Sequence, residues 1–202
     1  MNPILLSAAG NPENQDRGSV ISDGPRTLLC VADGAGGISG GKEAAIMATE
    51  FFRQNSTPLA NCEECMELLH CIDAAIARDS VAGETTCALA VITQDQILGA
   101  SVGDSGVWLI PPTGSLIDLT ARQQRKPFIG SGSATPVAFR HPKCEGVLLL
   151  ATDGLLKYTS AERIVDVCRR HPTELAPQQM IELVKYPSGR FPDDVTLILA
   201  KI

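Results

Sequence analysis

Residues 85–120, TTCALAVITQDQILGASVGDSGVWLIPPTGSLIDLT, read as four strands in succession. TTCALAVIT, QILGASVGD, GVWLIPP and SLIDLT are rich in aliphatic and β-branched residues, with Gly, Pro, Asp and Gln turn signals between them. Upstream, GKEAAIMATEFFRQN (41–55) follows a glycine-rich turn and carries apolar residues at helical spacing, as does CEECMELLHCIDAAIARD (62–79). Two strands, ILLSAAG (4–10) and RTLLCVAD (26–33), precede these helices. Downstream, ARQQRKPFIGSGSATPVAFRHP (121–142) is polar and rich in Gly and Pro and reads as loop. GVLLLATD (146–153) is a strand, SAERIVDVCRRH (160–171) and APQQMIELVKY (176–186) are helices, and DVTLILAKI (194–202) is a closing strand. Helices bracket the strand block instead of alternating with strands, which predicts a layered α+β sandwich over a doubly wound parallel sheet.

The 202 residues have the size of one domain, with no repeat, low-complexity tract or linker, so a single domain over 1–202 is expected. The chain is 44% hydrophobic but only 4% aromatic, so aliphatic side chains must fill the core. A net charge of −6 lacks the basic footprint of a nucleic-acid binder. Seven cysteines, an odd number scattered through predicted elements, fit reduced thiols better than a disulfide framework. The N-terminus lacks a basic n-region and no apolar run is long enough to cross a membrane. A soluble, cytoplasmic monomer without membrane or nucleic-acid partners is the expectation.

Four aspartates sit where apolar runs meet turns. Asp33 closes TLLCVADGAGG, Asp104 lies in LGASVGDSG, Asp153 closes GVLLLATDG, and Asp193 opens the turn before VTLILAKI. Asp before Gly is ordinary turn chemistry when taken singly. Carboxylates held together at the ends of buried strands repel one another unless a divalent cation neutralises them, and hard oxygen ligands favour Mg²⁺ or Mn²⁺. The pattern points to metal-dependent chemistry on phosphate. Asp16, in NPENQDR, adds a fifth acid.

Competing motifs are weaker. Gly36 to Glu43, GGISGGKE, matches a phosphate-binding loop except at its last position, where Glu43 would face phosphates in place of a Mg²⁺-ligating hydroxyl. Cys62, Cys65, His70 and Cys71 do not share one helical face, which argues against zinc. His141 and His171 flank prolines in apparent loops. The Asn55-Ser-Thr sequon has no bearing on a cytoplasmic chain.

In chain order, NQD (14–16), VADGAGG (31–37), GETTCALAV (83–91), VGDSGVWLI (102–110), ATDGL (151–155) and DDVTLI (193–198) resemble the metal-dependent protein phosphatase family, PPM or type 2C. The resemblance spans nearly the whole chain. It implies a four-layer αββα sandwich of two antiparallel sheets flanked by helices, with a binuclear Mn²⁺ or Mg²⁺ centre at the sheets' ends. It implies a serine/threonine protein phosphatase that hydrolyses phosphoester bonds of a phosphoserine or phosphothreonine protein with metal-activated water. By position, Asp33 would bridge two metals, the Gly34 carbonyl would serve one, and Asp153 and Asp193 the other. Those three aspartates would be the catalytic set. Asp16 matches an acid supporting the centre, and Asp104 a carboxylate of a third, weaker metal.

The departures are specific. Family members carry a phosphate-gripping Arg five residues before the acid matched to Asp16; Asn11 stands there, and Arg17 is wrongly spaced to replace it. A His that follows DG in animal relatives is Ala35. Lys157 takes the place of another acid, which argues against a tight third site. The flap subdomain is reduced to the 121–136 loop, where Arg122, Arg125 and Lys126 form a basic cluster able to attract a phosphorylated substrate. Two other classes stay open at this point: a non-catalytic regulatory binding module of the same fold, and a nucleotide-hydrolysing switch.

Overall fold

The computed structural model describes residues 2–35, 39–56 and 59–202. Its elements are β1 (Ile4–Ala8), β2 (Asp16–Asp23), β3 (Arg26–Asp33), α1 (Gly41–Asn55), α2 (Cys62–Ile76), β4 (Cys87–Ile92), β5 (Gln96–Val102), β6 (Gly106–Ile110), β7 (Ile117–Asp118), β8 (Val137–Pro142), β9 (Val147–Ala151), α3 (Asp153–Leu156), α4 (Ala161–Arg170), α5 (Ala176–Val184) and β10 (Val195–Lys201). They build two five-stranded antiparallel sheets, ordered β1-β10-β9-β6-β7 and β2-β3-β4-β5-β8. The expected four-layer αββα sandwich is the observed one.

Strand periodicity explains the layering. Successive strand residues face opposite sides of a sheet, so a strand covered on both sides must be apolar throughout. Leu28, Cys30 and Ala32 of β3 and Cys87, Leu89 and Val91 of β4 turn to a core shared with α1 and α2. The intervening Leu29, Val31, Ala88 and Ala90 turn to a second core between the sheets, where Leu148 and Leu150 of β9 and Ile198 of β10 meet them. Leu149 and Ala151 of β9, with Val195, Leu197 and Leu199 of β10, build a third core with α4 and α5. Each fully buried Leu or Ile contributes roughly 1.5–3 kcal/mol relative to exposure. Helix α2 is fixed at its start by a capping box, in which the Glu64 N–H donates to Asn61 Oδ1 at 2.9 Å and Glu64 Oε2 accepts from the Asn61 N–H at 3.3 Å.

The structure departs from sequence expectation at the sheet margins. DRGSVISD, unassigned from sequence, is strand β2 and pairs with β3 over all eight residues. The stretch expected as loop over 121–142 ends in strand β8, which pairs with β5, and His141 belongs to that strand opposite Ile97. SLIDLT contributes only the two-residue β7. On α2, Cys65 is buried and Cys71 exposed, so they address different surroundings; all seven cysteines are free. Residues 36–38 of the glycine-rich stretch and Thr57 of the sequon lie outside the described residues. Among the described residues, no helix is long and apolar enough to cross a membrane.

Candidate functional site

Antiparallel register brings strand ends of both sheets to one rim. Asp16 opens β2 opposite Asp33, which closes β3. Asp104 lies two residues past β5 and Asp153 two past β9, while Asp193 precedes β10 by two. Asp33, Asp104, Asp153 and Asp193 line one open cleft of about 290 Å³, joined by Glu84 and, on the rim, by Arg125 and Lys126. Asp16 is not in the cleft wall. It is only 2% exposed and contributes from behind Asp33.

Each acid is held through its backbone neighbours. The Asp33 N–H donates to Thr86 Oγ1 at 3.0 Å, and its carbonyl accepts from the Thr86 N–H and Thr85 Oγ1, both at 2.8 Å. Thr86 Oγ1 in turn lies 2.7 Å from Ser105 Oγ, beside Asp104. Gly34 forms an isolated bridge with Thr85; a Cβ there would stand 2.4 Å from the Gly41 carbonyl oxygen, so the position accepts only glycine. Thr152 joins the two sheets: its Oγ1 donates to Asp16 Oδ2 at 2.7 Å and accepts from the Thr196 N–H at 3.0 Å.

The Asp193–Asp194 turn depends on a residue that sequence reading passed over. Buried Asp194 accepts from the Gly10 N–H (2.8 Å) and Asn11 N–H (3.0 Å) at Oδ1 and from the Gln15 N–H (2.9 Å) at Oδ2. Its place beside Asp193 in DDVTLI was the available signal. The Asn11 side-chain amide donates to Asp193 Oδ1 at 3.2 Å, so this residue orients an acid and carries no charge to a phosphate. Arg17 is no substitute, since its guanidinium donates to the carbonyls of Asn14 (2.9 Å) and Asp16 (2.6 Å).

The electrostatics are those of crowded acids. Burial, then the charges of Asp16, Asp153, Asp193 and Asp104, push the Asp33 carboxyl up to about 10. Burial pushes Asp16 up to about 7, with the Thr152 hydrogen bond opposing and Asp194 adding to the rise. Asp153 is raised by burial and by Asp104 and Asp193, against the pull of Lys157, whose Nζ stands 4.0 Å from Asp153 Oδ2. Asp104 has a cation of its own: Arg125 Nε lies 2.8 Å from its Oδ2. Arg122 of the same basic cluster lies apart, on a groove beside Asp118 and His141.

A hard divalent cation fits this donor set. Asp16 Oδ1 is buried with no hydrogen-bond partner among the described residues, and the crowding of acids that raises Asp33 is what a bound cation would relieve. Among the described residues no three His, Cys, Asp or Glu side chains are already gathered as a finished ion-binding set. A cation held by aspartate carboxylates, with the rest of its shell left to water as Mg²⁺ prefers, suits the acids that line the cleft.

A sequence profile described as protein phosphatase 2C matches residues 8–185. The chain belongs to the protein phosphatase 2C family. No curated protein matches it in sequence. Among solved structures, a bacterial serine phosphatase superposes with a TM-score of 0.87 at 20% identity, covering 100% of this chain and 98% of its own. The catalytic domain of the serine/threonine protein phosphatase PstP, in complex with two manganese ions, gives 0.78 at 18% identity, covering 99% and 97%. RsbX, in complex with magnesium, gives 0.76 at 17% identity, covering 98% and 92%. The type 2C fold is thus present essentially from end to end.

Proposed function

We propose that this type 2C chain is a metal-dependent serine/threonine protein phosphatase. The observation that carries the reading is the convergence of Asp33, Asp104, Asp153 and Asp193 on one cleft, where burial and the neighbouring acids raise the Asp33 carboxyl. Asp33, Asp153 and Asp193, with the Gly34 carbonyl, would hold two Mn²⁺ or Mg²⁺ ions, as PstP carries two manganese ions and RsbX magnesium. Asp16 supports Asp33 from the buried side, and Asp104 stands at the outer wall. When bound, such a cation pair supplies an activated water and charge neutralisation for an in-line phosphoryl displacement.

The chain's own residues do the positioning. Thr85 and Thr86 fix the Asp33 backbone, Thr152 fixes Asp16 from the other sheet, and Asp194 fixes the turn that presents Asp193. Lys157 beside Asp153 and Arg125 on Asp104 bring positive charges to the place where a further cation would otherwise be drawn. The substrate is a phosphoserine or phosphothreonine protein, read from family membership and the open cleft.

Phosphate release from a phosphothreonine peptide is the test. Release is expected with Mn²⁺ or Mg²⁺, none with EDTA, and none from Asp33→Asn or Asp153→Asn. Release that survives EDTA or either substitution sinks the reading. A folded protein that binds Mn²⁺ but releases nothing is instead a regulatory binding module.

A further inference from the structure

An acidic cleft must still receive a phosphate dianion. Its lining carries five acids, Asp33, Glu84, Asp104, Asp153 and Asp193, against two basic side chains, Arg125 and Lys126. Lys126 directs its ammonium over the Phe128 ring, 5.3 Å from the centroid. Arg17 is committed to backbone carbonyls and Asn11 is neutral. Arg125 remains. Only its Nε is engaged, by Asp104, and neither terminal nitrogen has a hydrogen-bond partner among the described residues.

We propose that Arg125 is the residue that grips the substrate's phosphoryl group, a reading that rests on the phosphatase assignment above. A guanidinium offers a planar fork of donors that matches two phosphate oxygens at once, which an ammonium cannot do. The Asp104 pair parks that fork at the cleft. With the Arg125 side chain 70% exposed and that of Asp104 27%, such a pair is worth roughly 0–1 kcal/mol, so turning toward an incoming phosphate costs little.

The segment carrying Arg125 is stitched down on both sides. Before it, the Gly103 N–H donates to the Gln124 carbonyl at 3.1 Å, and Gln123 Nε2 to the Ser105 carbonyl at 2.9 Å. After it, Thr85 and Ile129 exchange backbone hydrogen bonds of 2.9 and 3.0 Å. Buried Asp73 of α2 accepts from the N–H groups of Gly130 (2.7 Å), Gly132 (3.0 Å) and Ala134 (3.1 Å). Gln124 is thus tied to the residue before Asp104, and Ile129 to the residue before Thr86. The short loop that stands in place of a flap delivers a cation to a fixed point on the rim.

The test is calorimetric titration of inorganic phosphate into the Mn²⁺-loaded protein, wild type against Arg125→Ala, Arg125→Lys and Arg122→Ala, with Mn²⁺ uptake measured on each. Arg125→Ala is expected to weaken phosphate binding roughly 10- to 100-fold, the loss of hydrogen bonds to a charged group. Arg125→Lys should fall between, and Arg122→Ala, on another face of the same loop, should match wild type. Mn²⁺ uptake should be unchanged in all three. Phosphate binding by Arg125→Ala within twofold of wild type overturns the assignment while leaving the phosphatase reading intact. An equal loss in Arg122→Ala also overturns it, since general loop charge would then suffice. A wild type that takes up no Mn²⁺ overturns both.

Discussion

Asp33→Asn replaces a carboxyl whose pKa is raised by burial and neighbouring acids with a neutral amide of the same shape, so it has two opposed consequences. Without cations, folded Asp33 holds its proton to about pH 10, whereas an unfolded carboxyl releases it near 3.8. At pH 8 the folded state must therefore hold a proton that the unfolded chain has given up, and stability is lost. Asn removes that burden. In EDTA at pH 8 the variant should melt above wild type by roughly 2–4 °C for each kcal/mol recovered, while at pH 4 the two should nearly coincide. Turnover with Mn²⁺ should vanish. Thermal unfolding followed by circular dichroism decides it, and a variant that melts lower than wild type at pH 8 would mean that Asp33 supports the fold. Asp33, Asp104, Asp153 and Asp193 were legible in the chain because each sits in a short turn signature. Thr152 and Asp73 were not, and Asp194 was marked only by its place beside Asp193, because their partners lie far off: Asp194 with Gly10, 184 residues away, and Thr152 with Asp16, 136 away. No local pattern announces such a bond.

Elements followed the same logic. Helices α1 and α2 could be read from sequence because apolar residues recur at helical spacing. The inner strands β3, β4, β9 and β10 could be read because burial on both faces leaves them nearly all apolar. Strands β2 and β8 escaped because they are edges of their sheet. They are only partly buried, keep polar residues such as Arg17, Ser22 and Arg140, and draw their order from a partner strand. The 121–136 segment is loop as expected, yet an ordered one. Its composition says loop, and loop it is, but Asp73 and Thr85 pin it. Asp73→Ala would leave the N–H groups of Gly130, Gly132 and Ala134 without an acceptor, at a cost of about 1–3 kcal/mol. Native-state hydrogen exchange should then accelerate at residues 129–134 while the β4 amides keep their protection, and phosphate affinity should fall with the loss of Arg125 positioning. Unchanged exchange across 129–134 would show that the Thr85 bridge alone secures the loop.

At the scale of the whole molecule, the site is a seam. Asp16, Asp33 and Asp104 come from the sheet covered by α1 and α2, and Asp153 and Asp193 from the sheet covered by α4 and α5. The apolar core between the sheets holds them face to face, so the acids at their rim are forced together whether or not a cation is present. Protons and divalent cations then compete to neutralise the same carboxyls, which couples global stability to both. For the cation-free protein the direction is fixed by the raised carboxyls. Stability is fully present below the unfolded value of 3.8 and declines as pH climbs through about 7 for Asp16 and toward about 10 for Asp33. The slope is about 1.4 kcal/mol per pH unit for each proton that the folded state retains in excess. Cations bound to the folded state alone add stability by mass action and take the place of those protons. The difference in melting temperature between Mn²⁺-loaded and EDTA-treated protein should therefore widen from pH 5.5 to pH 8, the EDTA curve falling and the Mn²⁺ curve staying nearly level. A gap that stays constant across that range would mean that Mn²⁺ binds elsewhere, away from the carboxyls that meet between the two sheets.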